Sequence, residues 1–181
     1  MSGPTGSGPT GSGPYRVMTV CTGNICRSPM AQVVLAERLR RAGLADVAVD
    51  SAGISDEERG HPIDPRAARV LAAHGYPVPA HRAKRITATD LAERDLVLAM
   101  TSSHARAVRS LARSDAALAE RVRMYRGFDP SAATEGPEHL LDMDDPWYGD
   151  EVGFEVTFAE IEAAADAVVE HVRLALAARD H

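Results

Sequence analysis

The sequence predicts an α/β fold in three layers, a four-stranded parallel sheet with helices on both faces. Two observations carry this. Short β-branched runs alternate along the chain with segments of helical spacing, the pattern of right-handed βαβ units. The first run, Tyr15 to Cys21, also reads as a strand buried on both faces, as in a sheet covered on both sides. In such sheets ligands gather at the carboxyl ends of the strands, and Cys21 stands at one.

A turn at Gly23-Asn24 follows that strand, and Ser28-Pro29 opens a helix that runs to about Arg41, with Gly43 just past its end. Val47 to Asp50 is the second strand. Asp64-Pro65 is a cap with proline at the first helical position, opening a helix that stops at His74-Gly75. A short helix from Ala88 to Glu93 leads into the third strand, Leu96 to Met100. Ser102 or Ser103 caps a helix through Leu111, and Val122 to Tyr125 is the fourth strand. A polar loop follows from Gly127 to Gly153. The last helix covers Val156 to Ala178, with Phe158, Ile161, Ala165, Val168, Val172 and Leu176 at helical spacing.

Composition narrows the function. The 181 residues suit one domain, taken as residues 15–181. Twenty Lys+Arg against 26 Asp+Glu give a net charge of -6, which provides no basic face for nucleic acid. Two cysteines exclude a disulfide-rich scaffold and a four-cysteine zinc site. No apolar run approaches the roughly 20 residues of a membrane helix. A cytoplasmic, monomeric protein without nucleic-acid or membrane partners is expected. Residues 1–14, with five of the 14 glycines and three of the 11 prolines, read as a disordered tail with no signal-peptide pattern.

The chemistry concentrates in Cys21-Thr22-Gly23-Asn24-Ile25-Cys26-Arg27-Ser28-Pro29. Five residues between Cys and Arg let the backbone curl so that its N–H groups converge on one oxyanion, and the following helix adds its positive end. A thiol at the bottom of that cradle is expected to ionise readily. The Arg27 guanidinium can hold two phosphoryl oxygens through parallel hydrogen bonds. The segment is therefore expected to be a phosphate-binding loop with a built-in nucleophile. A nucleotide-binding loop ending in Gly-Lys-Ser/Thr is excluded, because the sole lysine, Lys84, follows Ala83.

A thiolate attacking a phosphate ester needs an acid for the departing oxygen. Asp145, in Asp142-Met143-Asp144-Asp145-Pro146-Trp147-Tyr148-Gly149, sits on a proline-stiffened turn beside two aromatics. Its acidic neighbours Asp142, Asp144, Asp150 and Glu151 are expected to raise the cost of ionising it. The same stretch lacks the ligand spacing and glycine of a calcium-binding EF-hand.

With these residues in order, the chain resembles the low-molecular-weight protein tyrosine phosphatases, especially bacterial members. Asp50-Ser51-Ala52-Gly53, Asp64-Pro65-Arg66-Ala67, His74-Gly75-Tyr76 and Phe128-Asp129-Pro130 add to the match, which runs from Tyr15 to the C-terminus. The resemblance implies no metal and no organic cofactor, with a phosphotyrosine protein or small aryl phosphate as substrate. It implies Cys21 as nucleophile, Arg27 as phosphoryl binder and Asp145 as general acid and base. Thr22, Gly23, Asn24, Ile25, Cys26 and Ser28 then cradle the phosphate or another oxyanion, with Ser28 hydrogen-bonded to the sulfur. Asn24 shapes the loop from a left-handed position, helped by His74. His74 reads equally as a helix-terminal histidine bonded to the last carbonyls.

Three departures stand out. Glu57 takes the place of an aromatic residue on the cleft wall, which predicts weaker hold on a phenyl ring and repulsion of anionic peptides. Trp147 replaces the first of two tyrosines beside Tyr148. Thr101 stands where relatives usually have Asp. Three other activities share the pattern. An arsenate reductase of this fold needs cysteines beyond Cys21 and Cys26. A phosphoarginine phosphatase tends to carry threonine where this chain has Ile25. A phosphate-binding module without catalysis would not need Asp145. Cys26 reads either as a partner for a protective disulfide with Cys21 or as a small buried residue.

Overall fold

The computed structural model describes residues 13–133 and 135–180. The tail expected at residues 1–14 falls almost wholly outside the described residues. The elements follow in the order β1 (Arg16–Cys21), α1 (Arg27–Arg41), β2 (Ala48–Gly53), α2 (Pro65–Ala73), α3 (Ala88–Glu93), β3 (Leu96–Ala99), α4 (Ser102–Leu111), α5 (Ala116–Glu120), β4 (Val122–Met124) and α6 (Glu151–Arg179). The four strands form one parallel sheet in the order β2-β1-β3-β4. From β1 the chain moves to one side for β2 and crosses back to the other side for β3. The carboxyl end of β1 is therefore the switch point where such sheets leave a crevice.

The pleat divides β1 and β3 between two cores. Val17, Cys21, Leu96 and Leu98 face a layer containing Met30, Val34 and Leu35 of α1, Leu71 of α2 and Ile161 and Val168 of α6. Met18, Val20, Val97 and Ala99 face the opposite layer, with Leu91 of α3 and Ala105 and Val108 of α4. The three layers predicted from the alternating runs are those observed.

Boundaries shift where tertiary pairing overrides local preference. β2 extends to Gly53, three residues past its expected end, because Ser51, Ala52 and Gly53 pair with Thr19, Val20 and Cys21. Thr101, not Ser102 or Ser103, caps α4, accepting from the His104 N–H at 3.2 Å. The unanticipated α5 is capped by Asp115. α6 starts at Glu151 rather than Val156, capped by Asp150; Gly153 in its first turn disguises the start. The polar loop holds 3-10 turns at Glu138–Leu141 and Pro146–Tyr148.

Gly53 ends β2 directly beside the loop that leaves β1. A Cβ there would lie 2.4 Å from the Thr22 carbonyl oxygen and 3.1 Å from the Asn24 nitrogen. Neither neighbour is a flexible side chain, so the loop itself must move. Gly53→Ala is expected to lower stability by about 1–3 kcal/mol, read from the urea midpoint. An unchanged midpoint would show that the loop yields freely.

Candidate active site

Cys21 is the last residue of β1, Thr22 to Cys26 form the turn, and Arg27 is the first residue of α1. The loop's carbonyls are engaged by groups around it. Cys21, Thr22, Asn24, Ile25 and Cys26 accept, respectively, from Ile54 N (3.0 Å), Ser55 N (3.1 Å), His81 Nε2 (2.6 Å), Asp64 N (2.9 Å) and Met30 N (3.1 Å). In a trans peptide the next N–H points opposite to the carbonyl. Outward carbonyls therefore turn inward the amides that follow them, those of Thr22, Gly23, Ile25, Cys26 and Arg27, and among the described residues none of these five N–H groups meets an acceptor. The result is a ring of free donors at the positive end of α1.

Asn24 holds the ring's shape. Its φ of 60° is left-handed, a conformation asparagine tolerates better than most residues. Its amide donates to Ser28 Oγ and Ser51 Oγ, both at 2.9 Å, and its Oδ1 accepts the Lys84 N–H at 3.0 Å. Ser51 Oγ in turn donates to Gln32 Oε1 at 2.6 Å.

The histidine that supports Asn24 is His81, not His74. His74 caps α2, stacks on Phe158 and pairs with Glu155 Oε2 at 2.9 Å, so neither the expected help to Asn24 nor a side-chain bond to the last carbonyls is made. Residue type alone fits either histidine; only the return of the chain past Pro79 decides between them.

The Cys21 sulfur lies 3.0 Å from Ser28 Oγ and the residue is buried. Because Asn24 donates into Ser28 Oγ, the hydroxyl proton is left for the sulfur or for Ala52 O at 3.3 Å. Cys26 is also buried, and both thiols are free. Burial and the neighbouring Asp64 carboxylate push the Cys26 thiol far up, which keeps it neutral.

Arg27 closes the ring from a buried position. Nη1 donates to Met143 O at 2.8 Å and Nη2 to Asp145 Oδ2 at 3.0 Å, while Nε is buried with no acceptor among the described residues. A buried guanidinium N–H without a partner costs free energy unless a ligand supplies one. Asp145 Oδ1 accepts from Trp147 N at 3.1 Å, which fixes the carboxyl on the turn. The expected crowd of acids does not form around it. Asp142 accepts from Ser102 N, Asp150 caps α6, and Glu151 pairs with Arg69.

The cleft of about 210 Å³ above the loop gathers nearly all the expected residues: Cys21, Thr22, Gly23, Ile25, Cys26 and Arg27 at its floor, Asp145, Trp147 and Tyr148 on one side and Glu57 on the other. Glu58, which the sequence reading missed, joins Glu57 there. Asn24 and Ser28 act from behind the floor. Thr101 caps α4, and the acid loop is braced there by Asp142 and by Met143 N–H on Met100 O at 2.9 Å. Among the described residues no group of three or more His, Cys, Asp or Glu gathers as a metal would need, and no helix is long and apolar enough to cross a membrane.

The profile of the low molecular weight phosphotyrosine protein phosphatases matches residues 16–177. The low molecular weight protein-tyrosine phosphatase A of Mycobacterium tuberculosis is 50% identical over 149 residues, 82% of this chain and 85% of that relative. The crystal structure of YfkJ from Bacillus subtilis has a TM-score of 0.80 at 24% identity, covering 90% of this chain and 96% of that one. The structure of Vibrio vulnificus Wzb in complex with benzylphosphonate has a TM-score of 0.72 at 25% identity, covering 88% and 99%.

The two contributions of Asn24 can be separated. Asn24→Gly keeps the left-handed backbone and loses the amide; Asn24→Ala loses both. Urea unfolding is expected to show both variants below wild type, with Ala about 1 kcal/mol below Gly. Equal midpoints for the two would mean that the backbone conformation is unstrained.

Proposed function

The chain belongs to the low molecular weight phosphotyrosine protein phosphatase family, and from that premise we propose how its own residues carry out the hydrolysis. The protein is a cysteine-dependent protein-tyrosine phosphatase that works through a phosphocysteine intermediate. The observation that carries the assignment of roles is a buried sulfur in one loop with five amides that meet no acceptor and an Arg27 Nε that has none among the described residues.

In the first step Cys21 Sγ attacks phosphorus in line, an S–P bond forms, the ester O–P bond breaks, and Asp145 gives its proton to the departing tyrosyl oxygen. The amides of Thr22 to Arg27 and the Arg27 guanidinium hold the equatorial oxygens as charge spreads over them. In the second step Asp145 takes a proton from water, the water oxygen attacks phosphorus, and the S–P bond breaks to release phosphate. Ser28 Oγ–H, 3.0 Å from the sulfur, stabilises the thiolate that leaves. Ile25 and Trp147 offer apolar surface to an aryl group. The complex of Wzb with benzylphosphonate is consistent with an aryl oxyanion as the ligand class.

Residues 15–181 acting as one domain, monomeric and cytoplasmic, complete the proposal. Support for the single domain comes from one sheet shared by both cores.

Turnover of p-nitrophenyl phosphate at mildly acidic pH tests the roles. Cys21→Ser is expected to abolish it. Asp145→Asn is expected to slow it on the order of 10²-fold, the contribution of one positioned acid. Wild type that binds phosphate without turnover would overturn the nucleophile; an unchanged rate and pH profile in Asp145→Asn would remove the acid.

The Glu57 and Glu58 wall gives charge selectivity among peptides. Phosphotyrosine peptides with flanking lysines are expected to show higher kcat/KM than those with flanking aspartates. Glu57→Lys should shrink that ratio by about three- to tenfold at low salt and much less at high salt. A ratio indifferent to Glu57 would show that peptide flanks do not reach this wall.

A further inference from the structure

We propose that the His104 imidazole is a positioning residue for the phosphate loop, fixing Thr22, the first inward amide, and turning the Thr22 hydroxyl proton into the cleft. The proposal rests on reading the loop as an oxyanion cradle. It extends that reading to a side chain outside the cleft.

His104 sits in the first turn of α4, its backbone held by the Thr101 cap. His104 is 3% exposed, with Nε2 2.8 Å from Thr22 Oγ1 and Nδ1 buried without a partner among the described residues. That asymmetry assigns the proton. With the hydrogen on Nδ1, a buried N–H would have no acceptor at all; with it on Nε2, the ring donates to Thr22 Oγ1 and only a lone pair is left bare. Having accepted that bond, the Thr22 hydroxyl has its own proton to give, and Thr22 lines the cleft. An oxyanion in the loop thereby gains a side-chain donor beside the Thr22 amide.

The ring stays neutral while it does this. Burial and the charge of Arg27 on α1 push its pKa down to about 4, against the opposite pull of Asp145 and Asp142 on the acid loop. The same turn of α4 also braces the acid loop, since Ser102 N–H donates to Asp142 Oδ1 at 2.6 Å. One helical turn thus sets the height of the nucleophile's cradle and of the acid that faces it. A residue serving packing alone has no use for a polar ring with one nitrogen stranded, because an aliphatic side chain fills such a space at no desolvation cost.

Calorimetric titration with inorganic phosphate, which needs no turnover, tests this beside p-nitrophenyl phosphate kinetics and thermal midpoints. His104→Ala and Thr22→Val are each expected to weaken phosphate binding about ten- to a hundredfold, the worth of one hydrogen bond to a charged group. The double variant is expected to be no weaker than either single, because both act through one bond. His104→Gln, whose amide can donate to Thr22, is expected to return affinity toward wild type. Multiplying losses in the double variant, or wild-type affinity in His104→Ala with only a lower thermal midpoint, would overturn the proposal. Should His104→Ala fail to fold, unchanged affinity in Thr22→Val overturns it equally.

The pH arm is independent. Below about 6.5 the unfolded chain protonates this histidine, while the folded ring does so only near 4, so stability is lost as pH falls through that window. His104→Gln should flatten that part of the fall, and equal slopes would refute the neutral ring. A wild type that binds phosphate but turns over no ester would fail the catalytic roles alone and leave the affinity comparisons to be read.

Discussion

Everything in the cleft follows from where five carbonyls point. Each peptide of the loop is a rigid dipole, and pulling its oxygen outward necessarily presents its nitrogen inward. The pull comes from four separate places in the chain: Ile54 and Ser55 after β2, Asp64 at the cap of α2, His81 in the following loop, and Met30 in α1. No residue in the loop needs to be charged for the interior to become positive. A ring of inward donors matches the acceptors of an oxyanion and offers nothing to a cation.

That division explains what could be read from the sequence. Cys21, Arg27 and the amides between them are contiguous, so their spacing alone carries the chemistry. Asp145 announces itself through local stiffness, with proline after it and two aromatics beyond. The parallel sheet is legible because short β-branched strands and helical spacing are local signals too. The outer ring is another matter. His81, His104, Ser51 and Glu58 reach the loop only through the fold, and each belongs to a residue type whose ordinary place is a surface or a cap. His74, which the resemblance implies as Asn24's support, has the same chemistry as His81, and only His81 has the right path to the loop. The late start assigned to α6 has a similar origin, because a cap followed closely by glycine looks like loop until Phe154 and Phe158 find the core.

The acid shows a subtler limit. Counting carboxylates in sequence places four beside Asp145, yet three of them are spent elsewhere: Asp142 on α4, Asp150 at the start of α6, Glu151 on Arg69. Sequence proximity of like charges is therefore a poor guide to the field at one oxygen. What faces Asp145 is a guanidinium, a charge of the opposite sign at 3.0 Å.

In the proposed cycle that pairing has a consequence for timing. Arg27 is paired with Asp145 and Met143 through its two terminal nitrogens, so its charge is not left bare in a buried position even though Nε has no acceptor among the described residues. A phosphate dianion brings two negative charges and several acceptors to a ring already supplied with donors, and it competes for Arg27 on better terms than one carboxylate can. In the proposed cycle Arg27 turns to the phosphoryl oxygens and Asp145 is released to face the ester oxygen that departs. A peptide carboxylate, with one charge and the wrong shape for the ring, competes for Arg27 on worse terms.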